Sequence, residues 1–180
     1  MSLFDILKGL EENESAHLGR ILILLNEFSG RGKNAEIEGL TKLAKLDFLL
    51  RYPLYLEKAL CAEGKNLKQA KVKDHERKSV ESKMVRFRYG PWDFRYRKFI
   101  NTLVGMGLVS IRLEGRSYNL SITSKGIDLA NKLLDVHSFD DIAERSKVIR
   151  RYFNLSGTSL MRFIYKTFPE IGTLQFGEEI

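Results

Sequence analysis

The chain has 180 residues, a single cysteine, 43% hydrophobic residues and a formal net charge of +7. That length and apolar content suit one globular domain with room for an extension and exclude a wholly disordered polymer, while the lone Cys61 excludes an internal disulfide framework. The longest apolar run, Ile21 to Leu25, is too short to span a bilayer, and MSLFDILKGLEE carries acids where a secretory signal carries bases, so a cytoplasmic, membrane-free protein is expected.

The first predicted element is a helix from about Ala16 to Phe28, with Ser15 as N-cap and Ser29-Gly30 closing it. Arg31-Gly32-Lys33-Asn34 reads as a loop. A second helix follows, because Ile37, Leu40, Leu43, Leu46, Leu49 and Leu50 recur at three- and four-residue steps. Pro53 ends it near Tyr52 and opens a short helix that Gly64 stops. Residues 65–82 read as a basic, mobile loop with some helix. Met84 to Tyr89 is a short predicted strand, with Val85, Phe87 and Tyr89 on one face and Arg86 and Arg88 on the other. Gly90-Pro91 reads as a turn, Asp93 as the cap of a helix through Met106, and Gly107 as its C′ residue.

Two alternating runs, LVSIRL and YNLSIT, joined by Glu114-Gly115-Arg116-Ser117, predict a hairpin. Val109, Ile111 and Leu113 then face Tyr118, Leu120 and Ile122. Thr123 caps a helix to about Asp135, and Ser138 to Asp141 resembles a capping box that opens another, whose stripe is Phe139, Ile142, Ile149, Tyr152 and Phe153. A last helix, about Thr158 to Thr167, buries Leu160, Phe163 and Ile164. A helix followed by a two-stranded hairpin and a capped helix is the order of a winged helix-turn-helix. The expected fold is therefore α+β and mainly helical, a winged helix-turn-helix over residues 1–137 with a C-terminal helical extension over 138–180.

Charge is unevenly placed. Between Lys65 and Lys98 there are twelve Lys and Arg against Asp74, Glu76, Glu81 and Asp93, so that stretch carries +8 and the remainder −1. Such an excess is either an electrostatic footprint for a polyanion or a solvated linker and helix face. Catalytic patterns are missing. His17, His75 and His137 sit at predicted element edges without a carboxylate or Cys at ligand spacing, and read as surface or capping residues. Cys61 reads as a small buried hydrophobe. Ser29 to Lys33 lacks the spacing of a phosphate loop, and Glu11-Glu12 and Asp140-Asp141 read as acids at helix ends. No enzymatic role, cofactor or metal is expected.

Placed on a wheel, Tyr96, Phe99, Ile100, Leu103 and Met106 point to the core, and Phe94, Arg97, Lys98, Asn101, Thr102 and Gly105 point out. Arg, Asn and Lys are side chains that read guanine, adenine and phosphate, so this face suits a major groove. Exposed Phe94 beside Trp92 equally suits a protein-docking hot spot. The third reading has Trp92 packed over the helix start and the charges solvated. Candidate DNA contacts are Lys71, Lys73, Arg86, Arg88, Arg97, Lys98 and Asn101; candidate protein contacts are Trp92 and Phe94. Tyr152, Phe153, Phe163, Tyr165 and Phe168 give the tail more aromatic surface than two helices readily hide, which favours protein contact.

Leu40 to Leu60 (LTKLAKLDFLLRYPLYLEKAL), Val85 to Val109 (VRFRYGPWDFRYRKFINTLVGMGLV) and Leu155 to Ile171 (LSGTSLMRFIYKTFPEI) together resemble the middle components of ABC three-component bacterial defence systems, including Lamassu-type anti-phage systems. KLDFLLRYP and RYGPWD are the most specific parts. The resemblance implies a small non-enzymatic winged-helix subunit that bridges an SMC-like ABC ATPase and a toxic effector, often a nuclease. It also implies a complex that senses foreign or aberrant DNA, with double-stranded DNA contacted through that complex. A free-standing winged-helix transcription regulator is the alternative.

Overall fold

The computed structural model describes residues 3–29, 36–78 and 83–180, with side chains of the first helix described from Glu14 onward. The fold is α+β and mainly helical. The expected loop at Arg31 to Asn34 lies outside the described residues.

Helix α1 runs over Leu3–Phe28. Ser15 therefore lies inside a helix and caps nothing, and Glu11-Glu12 are interior positions; the Leu, Glu and Lys residues upstream are good helix formers and carry the element past the serine. Strand β1, Ile37–Glu38, precedes helix α2, Gly39–Arg51. Ile37 fits the helical stripe by spacing, yet it pairs with Leu120 as a strand residue, because Gly39 at φ +81° breaks the helix behind Leu40. Pro53 opens α3, Pro53–Ala62, and Gly64 stops it at φ +63° as expected. Cys61 is exposed rather than buried: α3 turns Leu56, Ala59 and Leu60 inward and leaves the cysteine on the far side.

Residues 65–78 hold two 3-10 turns, Leu67–Ala70 and His75–Arg77. Strands β2, Val85–Phe87, and β3, Gly90–Trp92, form an antiparallel ribbon. The chain thus reverses at Arg88-Tyr89, and Gly90-Pro91 begins the return strand. Pro91 lacks an amide to donate and is accommodated in this short strand opposite Arg86.

Helix α4 spans Tyr96–Gly105. Asp93 does not cap it directly; its carboxylate accepts the Arg95 amide at 2.9 Å and shapes the turn just before the helix. Gly107 at φ +72° closes α4 with the Leu108 amide on Leu103 O and the Gly107 amide on Val104 O, both at 2.9 Å. That reversal carries Met106 outward, 48% exposed, and Leu108 fills the core position instead.

Strands β4, Val109–Glu114, and β5, Ser117–Ile122, pair as the sequence predicts, Ile111 against Leu120 and Leu113 against Tyr118. With β1 they make an antiparallel sheet in the order β1-β5-β4. Thr123 caps α5, Ser124–Leu134, through the Gly126 amide at 3.0 Å. A 3-10 turn at His137–Phe139 precedes α6, Asp140–Phe153, so Ser138 lies in that turn and makes no capping box. Ser156 caps α7, Gly157–Thr167, and Pro169 opens α8, Pro169–Thr173.

Helix α2 lies at the centre, with Leu43, Leu46, Phe48 and Leu49 fully buried. The aromatics of the tail turn toward it: Phe153 and Phe168 are fully buried, and Phe168 meets Phe48 and Tyr55 edge-on at 6.1 and 4.8 Å. The tail hides two of its rings, against the expectation of surplus aromatic surface, while Tyr152, Phe163 and Tyr165 are half-buried and Phe176 is 65% exposed. Beyond α8 the chain returns to the outer edge of β2, where the Arg86 amide donates to Glu178 O at 2.8 Å and the Ile180 amide to Met84 O at 3.0 Å.

Candidate interaction surface

Beneath α4 lies a buried ladder of charge. Asp47, fully enclosed on α2, accepts Arg20 Nε at 2.7 Å and Nη2 at 3.1 Å from α1, and the Tyr96 hydroxyl at 2.7 Å from α4. Arg51 Nε stands 3.3 Å from the same carboxylate, and its Nη2 donates to Asp93 at 2.7 Å. Asp93 also accepts the Arg95 guanidinium at 2.8 and 3.0 Å. A lone buried carboxylate would protonate, but here burial is outweighed by the guanidiniums of Arg20 and Arg51, which hold Asp47 below its ordinary range. Burial likewise pushes Asp93 up, and bonds from Arg95 and Arg51 bring it well down.

The ladder fixes where α4 can sit. Arg51 ends α2 and Asp93 precedes α4, so their bond splices the two helices across the whole excursion from Tyr52 to Trp92. His17, expected at a helix edge, is buried inside α1: its ring stacks on Phe99 at 5.3 Å and accepts Arg20 Nη1 at 2.7 Å. Burial, with the charges of Arg20, Arg51 and Arg95, lowers its pKa to about 3, so the ring is neutral at physiological pH.

Above the ladder, the buried face of α4 is Tyr96, Phe99, Ile100 and Leu103, as the wheel predicts. Phe94, Arg97, Lys98, Asn101 and Gly105 are exposed, with Phe94 at 64%, and Thr102 is half-buried. Trp92 is half-buried between Tyr96 at 5.5 Å and Phe87 at 6.2 Å. Phe87 is 39% exposed, and its ring packs edge-on against Phe94 at 5.7 Å. Tyr89 at the ribbon turn is 51% exposed. Across α4, the hairpin leaves Ile111 42% and Leu113 78% exposed. Rings at one end and aliphatic side chains at the other thus flank the cations of α4.

The candidate cations fall into separate groups. Arg97 and Asn101 have no ion-pair or hydrogen-bond partner among the described residues, and the Arg97 charge reaches Tyr118 on the hairpin. Lys98 is bound to Glu14 at 2.7 Å. Arg88 lies over the Tyr89 ring at 5.9 Å. Arg86 turns away, donating to Leu174 O at 2.6 Å and lying over Phe176 at 4.7 Å. Lys71 and Lys73 stand apart from α4 and face α6, Lys71 at 3.6 Å from Glu144 and Lys73 on Asp141.

Their segment is clamped by a residue the sequence reading passed over. Arg145 is 3% exposed and donates to Ala70 O at 2.9 Å, Lys71 O at 2.8 Å and Glu76 at 2.7 and 2.8 Å. Its sequence signal is position: Arg145 falls between Ile142 and Ile149 on the inward stripe of α6. The exposed Leu113 had a signal too, an apolar side chain next to the turn that follows Glu114.

Among the described residues, no group of three or more His, Cys, Asp or Glu could hold a metal ion, and no helix is long and apolar enough to cross a membrane. Comparison with protein-family models, curated proteins and solved structures gives no match to this chain.

Proposed function

We propose that this chain is a non-enzymatic winged-helix assembly subunit that seats a protein partner on α4 and the β4–β5 hairpin. The order β1-β5-β4, with α1, α2 and α4 packed on it, supports the winged-helix reading: α4 stands as the presented helix and β4–β5 as the wing. One observation carries the choice of partner class. The presented surface exposes Phe94 and Leu113, at 64% and 78%, beside Tyr89 and Met106, whereas Lys98, Arg112, Lys71 and Lys73 already hold carboxylates in cis. Apolar anchors ringed by charge are the make-up of a protein-docking hot spot.

The resemblance of KLDFLLRYP and RYGPWD to the middle components of ABC three-component defence systems gives the partner its identity. It is an SMC-like ABC ATPase, bridged by this subunit to an effector such as a nuclease in an anti-phage complex. Double-stranded DNA is met by the complex, with Arg88, Arg97 and Asn101 the cations and amide left open to it.

Co-expression with the genes that flank it, followed by affinity purification of the tagged chain, tests this. The ATPase is expected to co-purify. Phe94→Ala should weaken that association by about 2 kcal/mol or more while leaving the melting temperature nearly unchanged, since the ring is mostly in water. Failure to recover an ATPase, or a large loss of melting temperature in the variant, overturns the reading. Arg97 and Asn101, open and four residues apart on one helix face, favour the alternative of a DNA-reading regulator. Nanomolar, sequence-specific binding of duplex DNA by the isolated chain would select it.

A further inference from the structure

The outer edge of β4 is an open pairing surface. Thr123 donates its amide to Leu108 O at 3.0 Å, in register with Val109 opposite Ile122. Because antiparallel pairs alternate between bonded and non-bonded positions, Ser110, Arg112 and Glu114 exchange bonds with β5. Val109, Ile111 and Leu113 then turn their amides and carbonyls to the other side. Among the described residues β4 pairs with β5 alone, so that outer row has no backbone partner.

Soluble proteins guard such an edge with proline, lysine, a bulge or a very short strand. Strand β4 has none of these: it runs SIRLE without Pro or Lys, and its register from Val109 to Glu114 is unbroken. Its one cation, Arg112, is held by Glu36 at 2.6 Å and Glu114 at 3.3 Å. Two of the three residues with open backbone groups, Ile111 and Leu113, also carry exposed apolar side chains; the third, Val109, is buried.

We propose that this edge pairs with the same edge of a second copy, antiparallel about Arg112, joining the two sheets across a two-fold axis. In that register Ile111 faces Leu113 of the other copy, and the reverse, so each exposed aliphatic side chain gains an apolar neighbour. Arg112 meets its own copy on the opposite face, where the carboxylates of Glu36 and Glu114 from both chains surround the pair; Glu114 lies diagonal to the other Arg112. The strand is self-complementary in its apolar pairs, and the carboxylates of both chains offset the like-charge pair at the axis, as a two-fold interface requires. The contact is small, so the dimer is weak and forms in the range of about 10–500 µM. It shares Leu113 with the surface proposed for partner docking but leaves Phe94 free, so the two contacts compete on the hairpin and Phe94→Ala tells them apart.

Sedimentation equilibrium of the full chain across that range tests the proposal, together with amide hydrogen exchange at its two ends. The weight-average mass should climb from one copy toward two, and the Ile111 and Leu113 amides should gain protection at high concentration. Leu113→Lys should raise the dissociation constant by about tenfold or more. Ile111→Pro removes an outward amide and the Ile111 side chain while breaking no bond to β5, and should do the same, whereas Phe94→Ala should leave self-association unchanged. A chain that stays monomeric throughout overturns the proposal, including one whose edge instead takes a strand from another protein. A dimer indifferent to both edge variants, or one whose 111 and 113 amides still exchange freely, overturns it equally.

Discussion

Two buried bases on neighbouring helices respond to pH in the same direction, over different windows. His17 has its pKa lowered from 6.5 to about 3, first by burial and then by Arg20. Between those values the unfolded chain takes up a proton that the folded chain refuses, so stability falls as pH drops from 6.5 to 3, by about 5 kcal/mol when complete. His17→Gln should flatten that limb in denaturant melts taken at pH 7 and pH 4.5, with Gln still able to accept from Arg20. Lys45 is 2% exposed, and its ammonium donates to Thr41 O at 3.0 Å. Burial lowers its pKa from 10.5 to about 8, so stability rises as pH climbs through that interval, and below it a charge is held in a dry site. Lys45→Met should therefore stabilise the protein at pH 7 by about 2 kcal/mol and lose that advantage by pH 10. A gap that does not change with pH would show that packing, not protonation, sets the difference.

The elements are held by close approaches that leave no room for a side chain. A Cβ on Gly126 would stand 2.1 Å from Leu108 O, because the start of α5 is pressed against the base of the hairpin. Gly126→Ala should cost about 3 kcal/mol, read as a lowered denaturant midpoint, and should loosen β4–β5 in amide exchange. The hairpin itself was legible in the sequence, register included, since alternation and the Glu114-Gly115 turn fix both. So were α3, with proline at its start and glycine at its end, and the inward face of α4. Strand β1 was not: two residues are too short for period two to register, and Ile37 coincides with the helical step of Leu40. The turn at Arg88-Tyr89 was hidden for a different reason. Gly90-Pro91 is the stronger local turn signal, and only pairing with β2 moves it into a strand. The site was half legible. Side-chain type and helix phase placed Phe94, Arg97 and Asn101 outside, but no local pattern tells that Lys98 meets Glu14 or that Arg86 meets Leu174.

Over the whole molecule, the basic stretch from Lys65 to Lys98 is not one surface. Lys71 and Lys73 belong to a segment pinned on α6 by Arg145, while Arg97 belongs to a helix seated on α1 and α2. Arg145→Met should release the 65–78 segment, giving rapid tryptic cleavage there and a loss of about 3 kcal/mol or more, since Glu76 and two carbonyls lose a buried partner. Slow cleavage in that variant would mean the apolar contacts of Ala70 suffice to hold it. The bond between Arg51 and Asp93 also bears on what this chain can become. The two residues are 42 positions apart and 2.7 Å apart. Closing a flexible loop costs only as the logarithm of its length, about 0.6 kcal/mol for each doubling. The excursion between them is therefore a port. Residues spliced in after Gly64, an exposed position at φ +63°, would lengthen the detour without moving its two ends. A lineage, or an engineer, can hang a new sensor there and leave α4 at its station.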